Sequence, residues 1–260
     1  MSGGLAVSGN LLCIAFGDAR GRVMLLDLDD RHPVSLWPLD PSDGGYSDAA
    51  GVALDHHYGL HLADTVNDRV RRYTAFGRRL EDLGQPQDPG EAGARRLDRA
   101  GTISRPRDVA VLGDNIYVVC GDRPLRRAVQ RFRRDGTPLR PLPCAGDPEL
   151  EWLKPLGIAS DGSGIWVCET GRARLLRYRA DGSFEQHLDT ASPGRGATEP
   201  IRCAPVPKEV SPTGGLLVVD QGERPGVLRF LASGEYRGIP KALQEAVQPP
   251  VLDVVCDHRG

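Results

Sequence analysis

The feature that most constrains the fold of this chain is a segment that recurs along it. Its clearest copy covers residues 155–184, where two short apolar runs, 165–168 and 175–178, are separated by a Gly-containing turn. Asp181-Gly182 follows the second run, and an Asp-Gly pair beside apolar runs is a strong β-hairpin signal. Further copies begin near residues 4, 51, 108 and 200, roughly 45 to 57 residues apart. Such a period is typical of propeller blades or solenoid units.

A second pattern recurs in the same register. Four of the repeats carry an Arg-aromatic pair in a later apolar run, and a Gly follows four residues after each aromatic residue. The pairs are Arg72-Tyr73, Arg131-Phe132, Arg177-Tyr178 and Arg229-Phe230, and the glycines are Gly77, Gly136, Gly182 and Gly234. Because four copies agree in both features, the units are expected to share one backbone structure.

These units resemble NHL repeats, whose general form is a Pro, then Gly-Ile-Ala-Val-Asp, a Gly turn, Ile-Tyr-Val-Ala-Asp-Thr, a short polar turn and an Arg-bearing strand. Segments 51–55 with 62–65, and segment 155–170, carry this form most fully. The resemblance covers nearly the whole chain. It implies an all-β fold, a β-propeller of four-stranded antiparallel blades around a central channel. Residues 1–260 are then a single NHL-like domain.

The number of blades is left open by the sequence. The repeats place blade one at residues 3–39 and blade two at 49–83, and blades three, four and five start at Pro106, Pro155 and Pro200. In blade one we expect strands at 4–7, 12–15, 22–28 and 34–39. Residues 238–247 are expected to form two helical turns, and residues 251–260 match the first strand of a sixth unit. The chain is then either a six-bladed propeller with an incomplete last blade, or a five-bladed ring in which the last strand displaces residues 4–7.

Composition restricts the partner and the compartment. The 260 residues carry a formal net charge of −2 and are 40% apolar, which gives no overall electrostatic footprint for nucleic acid or a membrane. No secretory signal or apolar run of about 18 residues is recognisable. No two of the six cysteines are closer than 24 residues, so neither a CxxC motif nor a disulfide framework is indicated. We therefore expect a cytoplasmic location.

Candidate ligand-binding residues lie where the predicted first strands meet the channel. The aligned repeats begin these strands with Gly4, Gly51, Asp108, Gly157, Arg202 and Asp253. We take the charged members and the preceding Arg107 as candidates at the channel entrance, because guanidinium groups and carboxylates bind oppositely charged groups strongly. The alternative is that each Asp bonds backbone amides at a strand start. The ends of the second strands add Asp64, Glu169 and Asp220. Asp64 and Glu169, with the threonines that follow them, are also expected to hold the next turn.

The predicted fold also resembles gluconolactonase-like and amidating-lyase-like propellers, in which Asn, Asp, Glu or His near these strand starts bind a metal ion. In this chain the position before the candidates reads Gly3, Ala50, Arg107, Leu156, Ile201 and Leu252. None of these side chains suits a hard cation or zinc, so we predict no metal and no cofactor. The three histidines 56, 57 and 61 share no evident face, and no common catalytic motif is present. Catalytic residues are therefore not identified.

The sequence favours a binding or interaction module over an enzyme. Its partner, a protein or a small molecule, is expected near the channel entrance and the long loop 85–101. The enzyme alternative is a metal-dependent lactonase-like or amidating-lyase-like propeller. A second alternative is RNA binding through the basic face of blade three, where seven arginines lie between residues 123 and 140. Phosphate contacts would be its mechanism, but no interleaved aromatic residues for base stacking accompany them.

Overall fold

A computed structural model describes residues 2–17, 21–39, 49–84, 99–121, 128–191, 199–206, 214–222, 225–231, 233, 235–238 and 253–255. Within these ranges the chain forms twenty β-strands and a short 3-10 turn, Thr170–Arg172. The strands build five four-stranded antiparallel sheets, each from consecutive strands. This arrangement confirms the predicted all-β propeller with four-stranded antiparallel blades. No helix formed by the described residues is long and apolar enough to cross a membrane.

The strands follow the repeats in chain order. Blade one contains β1 (Ser2–Ser8), β2 (Leu11–Gly17), β3 (Arg22–Asp27) and β4 (Pro33–Pro38). Blade two contains β5 (Ala49–Leu54), β6 (Leu60–Asp64), β7 (Arg69–Tyr73) and β8 (Arg79–Leu83). Blade three contains β9 (Pro106–Leu112), β10 (Asn115–Cys120), β11 (Val129–Arg133) and β12 (Pro138–Leu142). Blade four contains β13 (Pro155–Ser160), β14 (Gly164–Glu169), β15 (Arg174–Arg179) and β16 (Phe184–Asp189). Blade five contains β17 (Pro200–Pro205), β18 (Leu216–Asp220), β19 (Gly226–Phe230) and β20 (Tyr236–Gly238).

The first strands of the blades surround the channel. Strands β1, β5, β9, β13 and β17 contact one another in chain order. Glycine at two strand starts allows this close approach. A Cβ atom on Gly51 would lie 2.6 Å from the Cα of Asp108, and one on Gly157 would lie 2.9 Å from the Cα of Arg202. Any larger residue at these positions would therefore push neighbouring blades apart.

The described core lies in layers between blades. In blade three, Tyr117 and Val119 pack against blade four, whereas Ile116 and Val118 pack against blade two. This is the two-residue alternation of a strand that is buried on both faces. Equivalent layers join blades one and two, and blades four and five.

The described residues 253–255 lie beside blade one. Strand β1 pairs with β2 over its whole length, so residues 4–7 keep the inner position of blade one. The described residues form five blades, as in the five-bladed alternative, but the last strand does not displace residues 4–7, so that part of the alternative is wrong. Residues 253–255 belong to no sheet, but the Leu5 backbone N–H donates to Oδ2 of Asp253 at 2.8 Å. The helical turns expected at 238–247 lie, apart from Gly238, outside the described residues.

Candidate functional site

A cavity of about 810 Å³ lies between the first strands of the five blades. Residues 253–255 contribute to its wall, and most of the lining side chains are apolar, Val7, Val111 and Ile158 among them. Three of the residues predicted from the sequence also line it. These are Asp108, Arg202 and Asp253, and together we call them the channel cluster. The volume lies in the range of about 300 to 1,000 Å³ that is usual for small-molecule sites.

Arg202 is the centre of the channel cluster. Its Nη1 donates to the carbonyl of Leu156 at 2.7 Å, and its Nη2 donates to the carbonyl of Arg107 at 3.1 Å. Its Nε lies 3.6 Å from Oδ2 of Asp108 and 3.7 Å from Oδ1 of Asp253. The side chain is only 12% exposed. One largely buried guanidinium therefore lies between two carboxylates and joins blades three, four and five.

The two carboxylates of the cluster repeat one hydrogen-bond pattern. Asp108 accepts the N–H of the residue that follows it at 2.9 Å and the N–H of Ile158 in blade four at 2.9 Å. Asp253 accepts the N–H of the residue that follows it at 2.8 Å and that of Leu5 in blade one at 2.8 Å. Asp108 thus bonds backbone amides at a strand start, as the sequence alternative expected, whereas Asp253 makes the same two kinds of bond from outside the five sheets. Both residues also line the cavity.

The cluster holds its charges away from water. Burial raises the pKa of Asp108 to about 7; Arg202 opposes this shift and the charge of Asp253 adds to it. Burial also raises the pKa of Asp253, again against the effect of Arg202. With both carboxylates ionised, two negative charges share one positive charge, which favours uptake of a proton. Both carboxyl groups of the cluster therefore hold a proton more readily than an exposed aspartate does.

A second polar group reaches the same cavity from blade four. Oδ2 of Asp161 accepts the indole N–H of Trp166 and the Nε–H of Arg177, both at 2.9 Å. The guanidinium carbon of Arg177 lies 5.7 Å from the ring centroid of Trp166, within cation–π distance. All three residues line the cavity. Sequence reasoning missed them; the signal was the polar Asp-Gly-Ser turn directly after the first strand of the clearest repeat.

Two further candidates do not line the cavity. Arg107 contributes its carbonyl, which accepts from Arg202. Asp220, at the end of β18, accepts the N–H of Glu199 through Oδ1 at 2.6 Å and so ties the end of the second strand to the start of its own blade. Their role in ligand binding stays a prediction.

Asp64 and Glu169 form buried ion pairs inside their own blades. Oδ2 of Asp64 lies 2.6 Å from Nε of Arg71, and both side chains are fully buried. Oε2 of Glu169 lies 2.5 Å from Nε of Arg174. Asp64 also contacts the following turn, but it accepts from the side chain of Asn67 and not from the backbone amide that the sequence suggested. Neither carboxylate lines the cavity, so these residues stabilise blades two and four beside the site.

The described residues contain no group of three or more His, Cys, Asp or Glu side chains placed to hold a metal ion. His61 is buried, and its Nε2 lies 3.2 Å from Oδ2 of Asp55, whereas His56 and His57 are exposed. The ring centroids of His56 and His57 lie 4.0 Å apart, so these two exposed rings are neighbours, whereas His61 is buried with Asp55. The described residues therefore offer no set of metal ligands that would support the metal-dependent lactonase-like or amidating-lyase-like alternative.

Part of the basic run in blade three is committed to contacts within the protein. Arg131 donates through Nη1 to the carbonyl of Asp181 at 3.3 Å, and its guanidinium carbon lies 5.4 Å from the ring centroid of Tyr117. Three of the arginines, at positions 123, 126 and 127, lie outside the described residues, as do residues 85–98 of the long loop. RNA binding therefore stays a prediction.

Comparison with known proteins identifies the fold. No family model and no curated protein matches the chain. A streptogramin B lyase structure matches with a TM-score of 0.56 and 16% sequence identity, over 91% of this chain and 68% of that chain. Virginiamycin B lyase from Staphylococcus aureus, as the selenomethionine-substituted protein, matches with a TM-score of 0.56 and 13% identity, over 91% and 83% of the two chains. At these identities the likeness shows the fold alone, a β-propeller, and the NHL assignment stays a prediction.

Proposed function

We propose that the protein is a binding module that takes a small organic molecule into its central cavity, and that this molecule presents a positively charged group to the channel cluster. One observation carries the proposal: a cavity of about 810 Å³ contains two largely buried carboxylates that share a single arginine. Small-molecule sites are typically concave and mostly apolar, with a few convergent polar groups that fix the orientation of the ligand.

The charge of the cluster indicates the class of ligand. Without a ligand, the excess negative charge is relieved by a proton, because the pKa of Asp108 is raised to about 7. A bound cation replaces that proton at lower cost, since an opposite charge within a few ångströms favours the ionised carboxylate. Affinity for a cation is therefore expected to rise as the pH increases through the pKa of Asp108.

The walls of the cavity indicate the rest of the ligand. Val7, Val111 and Val255 line the cavity together with many smaller apolar side chains. Burial of apolar ligand surface against such walls contributes about 25 cal/mol for each Å² removed from water. The preferred ligand is therefore an amine with an aromatic or aliphatic body.

Calorimetric titration with naphthylmethylamine tests this proposal, with naphthylmethanol as the neutral ligand of the same shape. We expect the amine to bind more tightly than the alcohol at about pH 8, and this advantage to shrink at about pH 6, where Asp108 is protonated. Asp253→Asn should remove most of the advantage. Val111→Trp, which fills the cavity, should weaken both ligands.

The matched control is Asp135→Asn, which alters an exposed turn aspartate in blade three. It should leave both affinities unchanged. Equal affinity for amine and alcohol at both pH values would reject the charged recognition. Binding that is indifferent to Val111→Trp would reject the cavity itself.

A lyase-like enzyme is the second candidate, favoured by the position of Asp108. A carboxyl group whose pKa is about 7 is suited to take and return a proton at neutral pH. Two of the structures with a similar fold are lyases by name. Incubation with a streptogramin B antibiotic, followed by mass spectrometry, tests this candidate. Conversion of the antibiotic by the wild type but not by Asp108→Asn would support the lyase-like enzyme. An unchanged antibiotic would reject this candidate and leave the binding module as the proposed function.

A further inference from the structure

The arginine of the recurring Arg-aromatic pair lies on the third strand of blades two, three and four, at positions 72, 131 and 177. In blades two and three this arginine reaches the next blade. Nη2 of Arg72 donates to the carbonyl of Arg134 at 2.6 Å. Nη1 of Arg131 donates to the carbonyl of Asp181 at 3.3 Å. The arginine therefore joins each of these two blades to its successor.

Arg177 of blade four makes a different set of contacts. Among the described residues, its hydrogen bonds and ion pairs all lie within its own blade. Its Nε donates to Oδ2 of Asp161 at 2.9 Å, and its Nη2 donates to Oγ of Ser163 at 2.7 Å. Its Nη1 pairs with Glu185. The side chain is 16% exposed and lines the cavity, so in the described part of the chain it belongs to the cavity wall instead of linking blade four to blade five.

The guanidinium of Arg177 rests on the sheet of blade four. A Cβ atom on Gly164 would lie 3.1 Å from both Cζ and Nη2 of Arg177, so the missing side chain at Gly164 makes room for the group. Its Cζ lies 5.7 Å from the ring centroid of Trp166. The sheet thus covers one side of the guanidinium, and the three polar partners occupy N–H groups at its edge. The side turned away from the sheet remains to form the cavity wall.

We propose that Arg177 makes the cavity specific for an aromatic ligand, because its guanidinium stacks on a ring of the bound molecule. The inference rests on the proposed function and narrows the body of the ligand from aromatic or aliphatic to aromatic. A guanidinium is planar and stacks on aromatic faces, and the attraction between cation and ring grows when water is excluded. An aliphatic body in the same place would remove water from the cation without offering that attraction.

One ligand of moderate size can meet both Arg177 and the channel cluster. The carboxylate of Asp108 accepts the N–H of Ile158, and Asp161, which binds Arg177, lies three residues farther along the chain. At about 3.3 Å per residue of extended chain, the two groups are separated by about 10 Å along β13. An amine attached to two fused rings has about this length when its hydrogen bond to the carboxylate is included. The ammonium group would then face the channel cluster while the rings lie against Arg177.

Calorimetric titration of the whole chain with naphthylmethylamine and with decahydronaphthylmethylamine, its saturated counterpart, tests the inference. The wild type should bind the aromatic amine about fivefold more tightly or better. Arg177→Met removes the cation, and Arg177→Lys keeps the charge but not the planar group. Each variant should bring the ratio of the two affinities close to one. The ratio is the readout because a change in local charge or in the fraction of folded protein affects both amines alike.

Arg131→Met is the matched control. Arg131 is the equivalent arginine of blade three, and its guanidinium carbon lies 5.4 Å from the ring centroid of Tyr117, but it does not line the cavity. This variant should keep the wild-type ratio. Equal affinities in the wild type, a ratio that both Arg177 variants retain, or an equal loss in Arg131→Met would each overturn the inference and leave the proposed function standing. If neither amine binds, the proposed function is rejected and the inference falls with it.

Discussion

At the residue scale, one tripeptide of blade four occurs in two environments. Asp161-Gly-Ser163 and Asp181-Gly-Ser183 form the same turn, in which the Asp accepts the N–H and the hydroxyl of the Ser. Only Asp161 also accepts from Trp166 and Arg177. Burial raises the pKa of Asp161, but hydrogen bonds from Arg177 and Ser163 outweigh it and lower the pKa to about 2.

We predict that Asp161→Asn lowers the free energy of unfolding by about 2 kcal/mol at neutral pH, because a pKa lowered by nearly two units corresponds to that amount. A lowered folded-state pKa gives stability that is present above about pH 4 and is lost as the pH falls towards 2. The loss of unfolding free energy in Asp161→Asn, measured by urea unfolding, should therefore be smaller at about pH 3 than at neutral pH. Asp181→Asn, at an exposed position, is the control and should lower the free energy of unfolding by less. Equal decreases in the two variants would contradict a stabilising role for the additional contacts of Asp161.

The sequence predicts the turn but not the difference between its two copies. An Asp-Gly pair specifies local backbone structure, so both turns are recognisable without a fold. The additional contacts of Asp161 exist because β14 and β15 pair in a register that sets Trp166 opposite Arg177. Register depends on pairing along the whole strand, which a tripeptide does not encode.

At the scale of elements, a threonine hydroxyl joins successive blades. Oγ1 of Thr65 donates to the carbonyl of Pro106 at 2.7 Å, and Oγ1 of Thr170 donates to the carbonyl of Pro200 at 2.6 Å. All four residues are buried. The sequence suggested that these threonines hold the turn after their own strand. Their hydroxyls instead bond to the neighbouring blade, because the ring places the proline that begins each next blade directly beside the threonine.

We predict that Thr170→Val destabilises the fold by about 1 to 3 kcal/mol, since valine keeps the shape of threonine but leaves the buried carbonyl of Pro200 without its donor. Thr170→Ser keeps the hydroxyl and should retain most of the stability. Chemical unfolding of the two variants under identical conditions gives the comparison. If serine and valine cost the same, the hydrogen bond between blades is not the cause.

The boundaries of elements were predictable to within a few residues. In blade one the strand expected at 12–15 is Leu11–Gly17, and the strand expected at 4–7 is Ser2–Ser8. The apolar runs mark the centre of each strand correctly. The hydrogen-bonded pairing of β1 with β2 extends beyond these apolar runs, since Ser2 pairs with Gly17 and Ser8 pairs with Leu11. Backbone pairing does not require apolar side chains.

At the scale of the whole molecule, the repeats predicted which charged residues share a position but not what they do there. Asp108 and Arg202 are each the third residue of the first strand of their blade, and the ring brings them to one cavity with Asp253, which lies outside the five sheets. The hydrogen bonds of Arg202 to the carbonyls of Leu156 and Arg107 in other blades follow from the close approach of the first strands. Such contacts depend on how tightly the ring closes, and no single repeat contains that information.

The closure itself depends on Asp253, which accepts the N–H of Leu5 and lies close to Arg202 of blade five. We predict that Asp253→Ala increases amide hydrogen exchange by about tenfold at the start of β1, because a hydrogen bond to a charged acceptor contributes about 1.5 to 3 kcal/mol. Exchange in β10 and β11, which lie in the middle of the described ring, should change little, since local opening need not spread to the rest of the fold.

Asp135→Ala serves as the control, because that aspartate accepts only within an exposed turn of blade three. Hydrogen exchange followed by mass spectrometry separates the possibilities: faster exchange confined to blades one and five means that the tail closes the ring. Uniform acceleration across all blades would mean that Asp253 contributes only to overall stability.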